Sequence, residues 1–307
     1  MQVYTSENFG TLSLSGTAIA LGGFDAIHMG HQSIIRNVVA YAKQEGLTSV
    51  VYLFRNQPRE VVTGEALPSV YSFEKRLEIL EELGVDVVVA AWFTPQFSQI
   101  SPEEFVEEIL KKQLDARYLA AGFHYRFGKK GAGDMTLLKK LCKPLDIAVY
   151  EQAEVQVDGE TVSSTRIREL LQKGDLAMAE RCLGRPFSMS GEVVSGNQVG
   201  RTMGFPTANM VCPKGLVVPK FGVYLTQTEV DGRWYPSITN VGARPTITDQ
   251  MPWIETHLLD FQGDLYGKQI QVAFLSYLRE ITKFPSLDAL KEQLFRDKLA
   301  AKEYFGK

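Results

Sequence analysis

The chain predicts a covered parallel α/β sheet followed by a small β-barrel that a C-terminal helix closes. Three observations carry this. Up to about Gly184, short continuous apolar runs alternate with stretches of helical period, the pattern of strands buried on both faces. Beyond it the runs shorten, alternate in polarity and are punctuated by turn residues. One last helical stretch, from Ser286 to about Tyr304, ends the pattern, with Leu287, Leu290, Leu294 and Leu299 spaced for one face. The expected domains are residues 1–184 and 185–307.

In the first domain, Thr17-Ala18-Ile19-Ala20-Leu21 reads as a buried strand running into Gly22-Gly23. A helix follows with Ile34, Ile35, Val38, Val39 and Ala42 on its apolar face, ending near Gly46. Ser49–Phe54 is the next strand. The helix of Phe73, Leu77, Ile79, Leu80 and Leu83 then leads into the strand Val85–Ala90. Ser101-Pro102-Glu103-Glu104 is a capping box with proline at the first helical position, opening a helix to about Leu114. Tyr118–Ala121 and Ile147–Tyr150 are further strands, separated by another helix. Such sheets bind ligands at the carboxyl ends of their strands, near the topological switch point. In the second domain Asp231-Gly232 marks a hairpin between Tyr224-Leu225-Thr226 and Trp234-Tyr235.

The 307 residues suffice for two cores, and 45% hydrophobic with 22% charged residues is ordinary for a soluble globular protein. A net charge of −3 gives no reason to expect a nucleic-acid or anionic-membrane surface, so small molecules are the expected partners and self-association stays open. No apolar run approaches the roughly 20 residues that span a bilayer. Met1–Glu7 lacks the basic and apolar regions of a signal peptide. Cys142, Cys182 and Cys212, widely spaced and odd in number, read as reduced thiols, and the expected location is the cytoplasm.

Three segments can carry chemistry. Gly22-Gly23-Phe24-Asp25-Ala26-Ile27-His28-Met29-Gly30-His31 lies where the first strand passes into the first helix, a favourable place for a phosphate. His28 and His31 share a face on the opening helical turn, and Gly30 leaves room between them. They can donate to phosphates, and nothing near them in the sequence completes a metal shell. Gly200-Arg201-Thr202-Met203-Gly204-Phe205-Pro206-Thr207-Ala208-Asn209 brackets an arginine with glycines and fixes φ before Thr207. On an extended segment Thr207 and Asn209 project neutral oxygens to one face, ligands that suit Mg²⁺. Taken bare, the same stretch is a β-turn and a polar strand. Alternation places Glu255 and His257 on one strand face, where a carboxylate can deprotonate a hydroxyl that attacks phosphorus.

G-R-x-x-G-F-P-T-A-N resembles the signature of riboflavin kinases. The resemblance implies that Gly200, Arg201, Gly204, Pro206, Thr207 and Asn209 form the ATP loop, with Thr207 and Asn209 holding Mg²⁺. Thr239-Asn240-Val241-Gly242-Ala243-Arg244-Pro245-Thr246 and Ile254–Asp260 resemble further motifs of that family, and the second implies Glu255 as general base. Asp264-Leu265-Tyr266-Gly267 and Leu278-Arg279 also fit, with Arg279 on the flavin side. Gly22 to Gln32, as G-x-F-D-x-x-H-x-G-H-Q, resembles the FAD synthetase (FMN adenylyltransferase) module of bacterial bifunctional flavin enzymes. Its H-x-G-H resembles the wider nucleotidyltransferase superfamily. This implies a Rossmann-like domain with catalytic His28 and His31, and with Gly22, Phe24, Asp25 and Gly30 on the ATP side. Gly122–Gly128 with Gly133-Asp134 resembles the flavin-side loop, implying Gly122, His124 and Phe127 as flavin contacts. Ser163–Arg168 resembles a later phosphate motif, implying Ser164, Thr165 and Arg168.

The first half departs from the family in places. Gly23 stands where Asn is usual, Ala26 for Gly, Gln57 for His, and His124 for Asp or Asn. The expected protein is therefore an enzyme that phosphorylates riboflavin to FMN with MgATP and adenylylates FMN to FAD, the second step slowly. The alternatives are a riboflavin kinase with a catalytically degraded first domain, and a flavin- or nucleotide-binding regulator without turnover.

Overall fold

The computed structural model describes residues 1–5, 14–196, 200, 203–243 and 251–306. Its contacts divide the chain into two units, Met1–Ser164 and Thr165–Lys307.

In the first unit β1 (Gln2–Thr5), β2 (Thr17–Leu21), β3 (Thr48–Phe54), β4 (Val87–Ala91), β5 (Ala116–Gly122) and β6 (Ala148–Gln152) form one sheet. Every pairing in it is parallel, in the order β1-β4-β3-β2-β5-β6. The apolar runs read from the sequence are its central strands: β2 is fully buried along its length and β3 along five of seven residues. β1, a half-exposed edge strand, carries too little apolar pattern to be read. The chain runs outward from β2 through β3 and β4, then returns to add β5 on the other side, so the switch point lies between β2 and β5.

Helices α1 (Met29–Glu45), α2 (Pro58–Thr63), α3 (Phe73–Glu82), α4 (Pro102–Glu104) and α5 (Met135–Cys142) connect the strands. α1 ends where Gly46 takes φ 67°. Both bonds of the capping box at Ser101 and Glu104 are present. The predicted continuation of that helix is wound as a π-helix over Phe105–Gln113. Ile19, Leu21, Val50, Tyr52, Val87 and Val89 pack there against Phe105, Leu110, Leu138 and Cys142. A short hairpin, β7 (Gln156–Val157) and β8 (Glu160–Thr161), follows the sheet.

The second unit begins with α6 (Ser164–Lys173) and α7 (Leu176–Leu183). It continues through β9 (Phe187–Glu192), β10 (Ala208–Val211), β11 (Gly222–Val230), β12 (Arg233–Gly242), β13 (Trp253–Leu258) and β14 (Gln269–Arg279) to α8 (Leu287–Tyr304). The strands form one antiparallel sheet in the order β10-β13-β12-β11-β14-β9. Its edges meet through the bridge Val194↔Asn209, curling it into a half-barrel. Asp231 and Gly232, at φ 50° and 79°, make the two-residue turn between β11 and β12 that their sequence predicts.

The apolar stripe expected on α8 is only partly the buried one. Leu287 and Leu299 are each 67% exposed, whereas Asp297 and Ala301 are buried. The inward face runs through Leu290, Leu294, Asp297 and Ala301, because two contacts fix the rotation of the helix. Arg279 on β14 grips Asp297 with Nε at 2.9 Å and Nη2 at 2.7 Å, and Ala301 packs on Val223, Leu225, Ile238 and Leu259.

α7 packs on β9 and β14 and buries Leu176, Ala179, Cys182 and Leu183, while the Lys220 amide donates to the Leu171 carbonyl at 2.9 Å. A fragment starting at residue 185 loses both supports. A fragment of residues 165–307 should therefore unfold at a temperature roughly 10 °C or more above that of residues 185–307. Equal midpoints by circular dichroism would show that α6 and α7 add nothing to the half-barrel.

Candidate active sites

In the first unit, the turn from β2 into α1 is made of unusual backbone. Phe24 and Ile27, both fully buried, stand at φ 46° and 41°, conformations that cost bulky residues free energy and persist where packing imposes them. The turn delivers His28 as the N-cap of α1, its Nδ1 accepting from the His31 amide at 3.3 Å. Nδ1 is thus the bare nitrogen and Nε2 carries the hydrogen. The two imidazoles stack with centroids 3.7 Å apart at 18°. A Cβ on Gly30 would lie 3.2 Å from the His28 ring, so glycine is what lets the ring lie there. Burial lowers the pKa of His28 to about 4 and that of His31 well below the usual value, with the neighbouring His28 adding to the second shift. Both rings are neutral at pH 7, and Nδ1 of His31 is buried without a partner.

These histidines line a cavity of about 1080 Å³ at the switch point, together with Gly22, Gly30, Gly122, His124 and Phe127. Tyr52, Phe54, Phe97, Phe105 and Phe123 add a wall of rings suited to a flat heteroaromatic system. Ser163 also lines it, whereas Ser164 ends the first unit and Thr165 and Arg168 lie on α6 in the second. Phe24, also expected on the ATP side, is buried with its ring edge-on to His31 at 5.1 Å, and Asp25 accepts from the Val70 amide at 3.0 Å; neither lines the cavity.

Three of the departures acquire a physical meaning. A Cβ on Gly23 would meet nothing within 4 Å, so the position accepts a side chain. Ala26 is buried and outside the left-handed region, so its methyl costs no backbone strain. Gln57 faces its own loop: its Oε1 accepts from the Leu67 amide at 3.0 Å, and its Nε2 donates to the Leu67 carbonyl and to Ser69 Oγ.

In the second unit the antiparallel register builds the site. Asn209 on β10 stands directly opposite Glu255 on β13, and Glu255 directly opposite Asn240 on β12. Directly paired residues point to the same face, so the carboxylate lies between two amides. Asn240 Nδ2 donates to Glu255 Oε2 at 3.4 Å. Asn209 is buried, donates its Nδ2 to the Thr207 carbonyl at 3.2 Å, and is covered by Gly196, whose Cβ would collide with it. Gly200 lies so close to the Phe205 carbonyl that a Cβ would come within 2.3 Å, and Gly204 turns at φ 80°. Pro206 is exposed and Thr207 half-buried. Arg201 and the loop residues Arg244, Pro245 and Thr246 lie outside the described residues. Arg279, expected on the flavin side, commits Nε and Nη2 to Asp297 and Nη1 to the Glu280 carbonyl. Asn240 was missed as a site residue because only pairing register, which the sequence does not spell out, places it beside Glu255.

The fold and the two constellations define a two-domain protein with a separate polar site in each unit. Residues 11–166 match the model of FAD synthetase and residues 183–305 that of riboflavin kinase. Bifunctional riboflavin kinase/FMN adenylyltransferases are similar along nearly the whole chain. That of Haemophilus influenzae is 36% identical over 95% of this chain and 96% of its own, and that of Pseudomonas fluorescens 38% over 94% and 92%. A crystal structure described as a macrolide-efflux protein from Streptococcus pneumoniae superposes with a TM-score of 0.89 at 30% identity, over 98% of this chain and 99% of that one. Among the described residues no helix is long and apolar enough to cross a membrane. The chain belongs to the bifunctional riboflavin kinase/FMN adenylyltransferase family.

His28 gives a pH test. Its folded pKa, about 4, lies below the unfolded value of 6.5, so its contribution to stability is complete above pH 6.5 and is lost as pH falls towards 4. The loss amounts to about 3 kcal/mol. His28→Asn keeps a capping side chain that does not titrate. Urea unfolding should therefore show wild type losing more stability than the variant between pH 6.5 and 4. Parallel curves would contradict the assignment.

Proposed function

We infer that this chain phosphorylates riboflavin to FMN in its second unit and adenylylates FMN to FAD in its first, with ATP as donor in both. The observation that carries the kinase assignment is the placement of Glu255 between Asn209 and Asn240 on one sheet face. A carboxylate held there can take the proton of the ribityl 5′-hydroxyl as its oxygen bonds to the γ-phosphorus and ADP leaves. Asn240 Nδ2, donating to Glu255 Oε2, helps to fix its direction. A pure binding protein has no use for such a base, which disfavours a regulator without turnover.

The donor set near Glu255 fits Mg²⁺. Thr207 Oγ1 and Asn209 Oδ1 are neutral oxygens of the kind that a hard divalent cation takes. Thr207 and Asn209 would hold the ion, which would neutralise charge on the ATP phosphates. Gly200 and Gly204 bring the loop backbone close to the nucleotide. Arg279 acts by holding α8 to β14.

In the first unit an FMN phosphate oxygen would attack the α-phosphorus and release pyrophosphate. His28 and His31, as neutral imidazoles, each offer one N–H to the phosphate oxygens. The ring wall and the flavin-side residues Gly122, His124 and Phe127 suit the isoalloxazine. Because Gln57 spends its amide on its own loop, it supplies no donor to ATP, which favours slow adenylyl transfer. The three cysteines are buried and unbridged, which supports a reducing, cytoplasmic setting.

Incubation with riboflavin and MgATP, followed by chromatography, should yield FMN first and FAD later. Glu255→Gln should lower FMN formation by roughly 10²–10⁴. A variant with near-full turnover would remove Glu255 from the role of base, and wild type that consumes no ATP would restore the regulator.

A further inference from the structure

Two residues beyond Glu255, on the same face of β13, the His257 ring reaches back to the ATP loop. Its Nδ1 is 2.8 Å from the Pro206 carbonyl oxygen, which belongs to the residue just before Thr207. Its Nε2 is sealed from solvent and has no hydrogen-bond partner. The ring packs on Phe205 at 5.2 Å, and Phe205 is held from α8 by Phe295, edge-on at 5.2 Å, and by Lys298 Nζ at 5.9 Å. A carbonyl oxygen can only accept, so Nδ1 carries the hydrogen and Nε2 is bare. Protonation would add a buried N–H with no acceptor, in keeping with the lowered pKa that burial gives this ring.

We propose that His257 is a positioning residue: by donating Nδ1–H to the Pro206 carbonyl it fixes the segment that carries Thr207, and that leads into Asn209 on β10, against the strand that carries Glu255. Its role is exerted through the loop backbone rather than through a substrate. The motif alone reads as a histidine beside a catalytic carboxylate, and nothing in its spacing shows that the ring faces the loop backbone. The inference rests on the kinase reading of this unit and names the ATP side, not the flavin side, as the part it serves.

Two measurements test it. Long-range ¹H–¹⁵N correlation near pH 7, with His257 assigned by its loss in His257→Asn, should show a protonated Nδ1 and a bare Nε2. The opposite tautomer would overturn the proposal whatever the protein catalyses. In FMN formation, His257→Asn retains an N–H donor close to the Nδ1 position, whereas His257→Leu keeps bulk without a donor. The Leu variant should raise KM for MgATP about tenfold or more, with KM for riboflavin within about twofold, and the Asn variant should stay within about threefold of wild type for both. An unchanged KM for MgATP in the Leu variant, equal losses in both variants, or a joint rise for both substrates would reject His257 while leaving the kinase reading in place. Wild type that forms no FMN would reject that reading itself.

Discussion

A ladder of buried hydroxyls inside the half-barrel sets the register on which the kinase site depends. Thr228, Ser237, Thr226, Thr239 and Thr256 are all fully buried. They bond in sequence across three strands, at 2.8 Å from Thr228 to Ser237, 2.8 Å to Thr226, 2.8 Å to Thr239 and 2.9 Å to Thr256. Each is satisfied by its neighbours in the ladder, and a hydroxyl buried without a partner costs about 1–3 kcal/mol. A slip of β13 by one residue would turn Thr256 outward and Glu255 inward. The polar interior therefore specifies which carboxylate meets which amide on the opposite face. Bulkier apolar residues could fill that volume, but any register that buried them would serve nearly as well.

The first unit meets its positional problem by different means. Its sheet is apolar and parallel, and its precision lies in a single turn. The strained conformations at Phe24 and Ile27 are held by complete burial, and the turn hands His28 to the first turn of α1 as its cap. The imidazoles are consequently desolvated, which disfavours their charged forms.

Much of this was legible in the residues. β2 is legible to the residue, as are the cap at Ser101 and the turn at Asp231-Gly232, and the helix end is legible to the neighbourhood of Gly46, because each follows from local backbone chemistry. The motif segments name His28 and His31, which the fold stacks together, and Asn209 and Glu255, which it sets opposite each other. What stayed hidden was set by distant partners. Leu287 and Leu299 have helical spacing, yet the rotation of α8 is chosen by Arg279 gripping a buried Asp297, which periodicity counts as polar and outward. Asp25 bonds the Val70 amide, and Gln57 is consumed by Leu67 and Ser69, partners ten or more residues away in the chain. The roles of Asn240 and His257 depend on strand register and on a carbonyl from another segment.

The central claim is that each unit completes one of two consecutive reactions with its own residues. The most direct test mixes two crippled chains, Glu255→Gln and the double variant His28→Ala with His31→Ala, in equal amounts with riboflavin and MgATP. Neither alone should make FAD from riboflavin, and the mixture should, because FMN released by one chain is adenylylated by the other. A mixture that accumulates FMN without FAD, while wild type makes both, would contradict the account.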